Sequence, residues 1–119
     1  MAVKLFESEL KVMDLLWKEG DMPAKEIAQR LKEQVQWSKT TTYTVLKKCV
    51  DKHAVLRTDP GFVCSPLVSR EEAQSAATKD LIDRMYGGSK DLLIASLLGK
   101  QEMTPEEIAR LKKLAEEFS

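Results

Sequence analysis

Residues 38–52 read Ser38-Lys39-Thr40-Thr41-Thr42-Tyr43-Thr44-Val45-Leu46-Lys47-Lys48-Cys49-Val50-Asp51-Lys52, and two patterns are superimposed on them. Val45, Leu46, Cys49 and Val50 recur at steps of three and four, which predicts a helix with one buried face, and Ser38 is a good N-cap for it. The opposite face crowds hydroxyls into the first two turns, a poor choice for helix propensity. Short hydroxyls are useful there if an external polar surface lies close by. A helix N-terminus already favours phosphate through its free N–H groups and dipole. Lys39, Lys47 and Lys48 add charge, and Tyr43 offers a ring for a thymine methyl together with a hydroxyl donor. The face predicted to point outward therefore holds Thr40, Thr41, Tyr43, Thr44, Lys47 and Lys48. The competing reading is an ordinary surface helix with a hydroxyl-rich cap.

The flanking sequence decides between them. Upstream, Phe6, Leu10, Met13 and Leu16/Trp17 predict a first helix over 7–19, ended by Gly20. Pro23 then opens a second helix from Ala24 to about Glu33, with Ile27 and Leu31 inward. Downstream, Val55-Leu56-Arg57, Asp59-Pro60-Gly61 and Phe62-Val63-Cys64 predict a short hairpin around a Pro-Gly turn. Three short helices and a hairpin is the order of a winged helix-turn-helix, in which the third helix presents its N-terminal half to base edges in the major groove.

Residues 69–119 differ in character. Ser69-Arg70-Glu71-Glu72 and Thr104-Pro105-Glu106-Glu107 are capping boxes, Gly87-Gly88 is a break, and Ser89 caps a short helix that stops at Gly99. Ile82, Met85, Tyr86, Leu92, Leu93, Leu97, Leu98, Ile108, Leu111, Leu114, Ala115 and Phe118 give these helices more apolar positions than so short a segment hides alone. A second copy of the chain is the expected cover, through Ile82, Met85, Tyr86, Leu92, Leu93, Leu97, Ile108, Leu111 and Leu114, with packing against the chain's own first half as the alternative. The predicted fold is mainly α: a winged-helix domain over 1–68, with three helices and a short β-hairpin wing, then a helical dimerisation region over 69–119.

Composition bounds the function. In 119 residues, 43% are hydrophobic and 32% charged, with five Gly and four Pro, which excludes a disordered chain. No apolar run approaches the roughly 18 residues of a membrane span, and the N-terminus has no signal-peptide pattern, so a cytoplasmic protein without membrane insertion is expected. Net charge is zero, yet residues 34–58 hold Lys39, Lys47, Lys48, Lys52 and Arg57 against Asp51 alone, a local balance of +4. A local field suffices for phosphate, because screening confines it to about 8–10 Å in any case. Nucleophile elbows, P-loops and dinucleotide fingerprints are missing, and the acidic residues sit in helix first turns, so no enzyme and no cofactor is expected. Cys49 and His53 are four apart on one helix face and Cys64 lies in the hairpin, but paired C-x-x-C spacing is lacking, so no metal is expected. A metal- or thiol-responsive regulator using these three residues stays open as an alternative, as does a winged helix that docks another protein.

The chain also resembles a known family. Leu10-Lys11-Val12-Met13-Asp14-Leu15-Leu16-Trp17 with Gly20, Trp37-Ser38-x-x-Thr41-x-x-Thr44-x-Leu46, Ser65-Pro66-Leu67-Val68-Ser69-Arg70-Glu71-Glu72 and Gly87-Gly88-Ser89 resemble, in order, motifs of the penicillinase and methicillin-resistance repressors, the BlaI/MecI group that also takes in copper-responsive repressors. The resemblance implies a homodimeric winged-helix repressor on a palindromic double-stranded operator. By position Thr40, Thr41, Tyr43, Thr44 and Lys48 would fall on the group's DNA-contact positions; Ser38, Lys39 and Lys47 of the same helix, read from its own chemistry, complete the face expected to meet DNA, with Arg57 as the wing's main candidate. It further points to a membrane sensor protease as partner, although Ser96-Leu97 stands where the group's Asn-Phe cleavage bond is expected. Phe62 follows Gly61 where members often carry Arg, and the paired Cys-x-Cys motifs of the copper-responsive members have no counterpart after Cys64.

Overall fold

The computed structural model describes residues 3–99 and 103–117; Phe118 lies outside the described residues. Along the chain run α1 (Glu7–Glu19), β1 (Met22–Pro23), α2 (Ala24–Val35), α3 (Lys39–Asp51), β2 (Val55–Thr58), β3 (Val63–Pro66), α4 (Arg70–Met85), α5 (Lys90–Gly99) and α6 (Pro105–Glu117). The chain divides into two units, Met1–Ala77 and Thr78–Ser119, with the division inside α4.

In the first unit, α1, α2 and α3 enclose Val12, Met13, Leu16, Ala24, Ile27, Leu31, Val45, Leu46 and Cys49, and Ala54, Val55 and Cys64 close that core from the sheet side. Fully burying a Leu- or Ile-sized side chain contributes about 1.5–3 kcal/mol, so this cluster sets the position of α3. The buried face of α1 is shifted from the single stripe expected. Phe6 and Leu10 are exposed while Val12 and Leu15 are buried, because α1 packs against α2, α3 and β3 together. On α3, Val50 is only half-buried and Thr42 is buried instead, continuing the Val45, Leu46 and Cys49 face back by one turn.

The sheet is antiparallel in the order β1-β3-β2. In the hairpin Val55 faces Pro66 and Thr58 faces Val63, while Met22 pairs with Cys64 on the other edge of β3. A two-residue strand ending in proline has no alternation to read, so β1 leaves no signal in the sequence. Helix α2 also runs two residues beyond Glu33, to Val35, where Gln36 takes the left-handed conformation at φ 58° and ends it.

The start of α4 is tied to the first unit. Ser69 N donates to Glu72 Oε1 at 3.2 Å and Glu72 N to Ser69 Oγ at 3.0 Å, completing the expected capping box. Just before it, Trp17 Nε1 donates to the Val68 carbonyl at 2.9 Å.

In the second unit, Gly87 and Gly88, at φ 57° and 83°, break the chain after α4. Ser89 Oγ accepts from Leu92 N at 3.2 Å, and Thr104 and Glu107 form the reciprocal box at 3.1 and 3.2 Å. Among the described residues, neither α5 nor α6 has a buried side chain. No helix among the described residues is long and apolar enough to cross a membrane.

Candidate nucleic-acid interface

Helix α3 is fixed from behind by its apolar face and from its start by a cap. Ser38 Oγ accepts from Thr41 N at 3.1 Å and lies 3.0 Å from Thr41 Oγ1. With that end pinned, Ser38, Lys39, Thr40, Thr41, Thr44, Lys47 and Lys48 are all exposed, and Tyr43 is half-buried among them. Lys39, Thr40, Tyr43, Thr44 and Lys47 line one shallow open depression. The outward face read from the sequence is thus brought together as one surface: hydroxyls at the N-terminal turns, lysines at both ends, and an aromatic ring between them.

Tyr43 does not stand alone. Its ring meets Phe62 edge-on, with centroids 5.8 Å apart and planes at 77°, and Lys39 Nζ lies 5.8 Å from its centroid. The Arg57 guanidinium stacks 3.7 Å over the Phe62 ring, while its Nε donates to Asp59 Oδ2 at 3.1 Å. Phe62 and Asp59 lie outside the set of DNA-contact residues that the sequence predicts. Their signal was spatial: only the hairpin register brings β2 and the wing turn against α3.

The local charge excess is smaller at this surface than the count over 34–58 implies. Lys52 Nζ is paired with Glu9 Oε1 at 2.6 Å, donates to the Lys4 carbonyl at 2.9 Å, and lies 4.1 Å from the Phe6 centroid. It serves the core rather than the exposed face. Among the described residues, Lys39, Lys47 and Lys48 of α3 have no ion-pair partner, and the Arg57 charge is shared with Asp59.

Cys49 and Cys64 are fully buried, whereas His53 is exposed at φ 62° just past the end of α3. Burial, with help from the Glu9 carboxylate and opposed by Lys52, pushes the Cys49 thiol up to about 12. Burial pushes Cys64 up to about 11, against the pull of Arg57. Both are protonated at neutral pH, the unreactive form. Among the described residues, no three His, Cys, Asp or Glu side chains come together to hold a metal ion.

Of the residues expected to pair two chains, Ile82 is buried, while Tyr86, Leu93, Ile108 and Leu111 are half-buried. Met85, Leu92, Leu97 and Leu114 are exposed, Met85 by 72% and Leu92 by 57%. Tyr86 Oη lies 3.2 Å from Ser96 Oγ, which ties α5 to the end of α4.

Comparison with known proteins gives a consistent picture. A family model described as Penicillinase repressor matches residues 5–117. The penicillinase repressor of Bacillus licheniformis is 25% identical over 116 residues, which cover 96% of this chain and 91% of that protein. The methicillin resistance regulatory protein MecI of Staphylococcus aureus (strain N315) is 22% identical over 113 residues, 93% of this chain and 92% of MecI. Among solved structures, the solution structure of the DNA binding domain of the repressor BlaI matches with a TM-score of 0.56 and 26% identity, over 60% of this chain and 90% of that one. The solution structure of Bacillus licheniformis BlaI, in its monomeric form with the blaP half-operator, matches with a TM-score of 0.54 and 26% identity, over the same shares.

Proposed function

This chain belongs to the penicillinase repressor family, and from that premise we propose that it represses transcription as a homodimer bound to a palindromic operator. Its family is one of DNA-binding regulators, not of enzymes. The observation that carries the proposal is the exposed hydroxyl-and-lysine face of α3, in a domain that shares its fold with a repressor solved on its half-operator.

The N-terminal turns of α3 enter the major groove. Thr40, Thr41, Tyr43 and Thr44 read base edges, each good contact giving roughly 1–3 kcal/mol of discrimination. Ser38, Lys39, Lys47, Lys48 and Arg57 contact phosphates, set the register and make binding salt-dependent. Residues 1–68 form the reading head and 69–119 the dimerisation region, whose exposed Met85, Leu92, Leu97 and Leu114 support a second copy as the cover. Two linked heads spaced about 34–36 Å apart reach successive major grooves, and linkage makes the second contact intramolecular. The same reading makes the protein cytoplasmic. On the sequence resemblance alone it extends to a membrane sensor protease upstream.

Salt titrations of two variants test it, on a duplex selected from a random-sequence pool and on its scrambled counterpart. Tyr43→Ala lowers the preference for the selected duplex, while Lys47→Ala weakens binding to both and reduces the salt slope by about one. Equal losses for both variants on both duplexes would count against these roles.

A further inference from the structure

We infer that Phe62 is a positioning residue that joins the wing to the recognition helix, so that Arg57 and Tyr43 meet DNA as one surface. The inference rests on the DNA-binding role proposed for α3 and names a residue outside that set.

Two independent features of Phe62 point to it. The first is its contacts: the ring carries the Arg57 guanidinium on its face at 3.7 Å and packs edge-on with Tyr43 at 5.8 Å. One ring thereby orients the wing's cation and the aromatic of α3 together. The second is its backbone. Phe62 sits at φ 47°, a left-handed conformation that a bulky side chain rarely adopts, directly after Gly61 at φ 96°. Its carbonyl accepts the Ala24 N–H at 2.9 Å, so the backbone is anchored to the start of α2. Glycine or asparagine would suit that conformation better. An aromatic held there places its ring between β2 and α3, where neither a polar nor a small side chain makes these contacts.

The same conformation supplies the test. Phe62→Asn suits the left-handed backbone, which offsets part of the loss of a half-buried ring packed against the core, so thermal unfolding is measured first and the titrations are run well below the transition. On the selected duplex, Phe62→Asn is expected to lower the salt slope by about one, as Arg57→Ala does, because the guanidinium is no longer aimed at a phosphate. It is also expected to reduce the ratio of selected to scrambled affinity by about 5- to 150-fold, as Tyr43→Ala does. Adding Arg57→Ala to Phe62→Asn lowers the slope no further, and Phe62→Tyr, which keeps the ring, restores slope and ratio. An unchanged slope and ratio in Phe62→Asn overturns the inference, as does an equal Arg57→Ala effect with and without the ring. Either result leaves the DNA-binding role standing provided that Lys47→Ala still lowers the slope. If Lys47→Ala and Arg57→Ala are both without effect in the native chain, the role and the inference fall together.

Discussion

Glu9 is 1% exposed and carries a formal charge, so its partners decide whether it stabilises or destabilises the fold. Oε1 accepts from Phe6 N at 2.7 Å and from Lys52 Nζ at 2.6 Å, whereas Oε2 has no hydrogen-bond partner among the described residues. A buried ion pair returns little net stability, but removing one member strands the other's charge. Lys52→Met is therefore expected to destabilise the chain by about 3 kcal/mol, and Glu9→Met combined with Lys52→Met to recover more than half of that loss. Urea unfolding, with the midpoints compared at constant slope, measures both. A double variant as unstable as Lys52→Met alone would mean that the pair itself, rather than relief of a stranded charge, holds the first helix to the third. Thr42 is the milder counterpart: its buried Oγ1 is also without a partner among the described residues, and the site gains nothing from the hydroxyl.

At the scale of elements, α3 combines a structural and a binding demand at one residue, and a pair of substitutions separates them. Ser38 caps α3 through Thr41 N. Ser38→Ala is expected to cost about 1 kcal/mol of stability. Ser38→Asp keeps the cap and sets a negative charge where a phosphate is expected, so it should unfold at the native temperature yet bind duplex more weakly. Thermal melts beside anisotropy titrations give the comparison; parallel losses of stability and binding in both variants would remove Ser38 from the phosphate contacts. The caps and the core face of α3 were legible in the sequence because both are local: Ser38, Ser69 and Thr104 announce helix starts, and steps of three and four mark Val45, Leu46 and Cys49. The outward face followed as the complement of the inward one. Thr42 was misleading because a hydroxyl in a run of hydroxyls carries no apolar signal, although it lies three and four residues before Val45 and Leu46. Phe6 and Leu10 misled in the opposite sense, being apolar positions that the packing of α1 leaves exposed. The Lys52–Glu9 pair and the Phe62 stack join residues far apart or across a turn, and such contacts exist only once the fold brings them together.

For the whole molecule, the two units differ in how they satisfy the hydrophobic effect. The first encloses a core that includes six fully buried apolar side chains of Val size or larger on its three helices: Val12, Met13, Leu16, Ile27, Leu31 and Leu46. The second leaves Met85, Leu92, Ile94, Leu97, Leu98 and Leu114 exposed on helices with well-formed caps. Well-capped helices with open apolar positions suit association, and a two-fold dimer turns one reading head into two. The symmetry of the protein should then be written into the DNA it selects. The most direct measurement is selection of bound duplexes from a random-sequence pool by the full chain at near-physiological salt, with the bound fraction sequenced after each round. The expected result is enrichment of a two-fold symmetric motif whose half-site centres lie about one helical turn, or a whole number of turns, apart. A bound fraction with the same sequence distribution as the input pool would contradict the assignment of α3 as a sequence-reading helix.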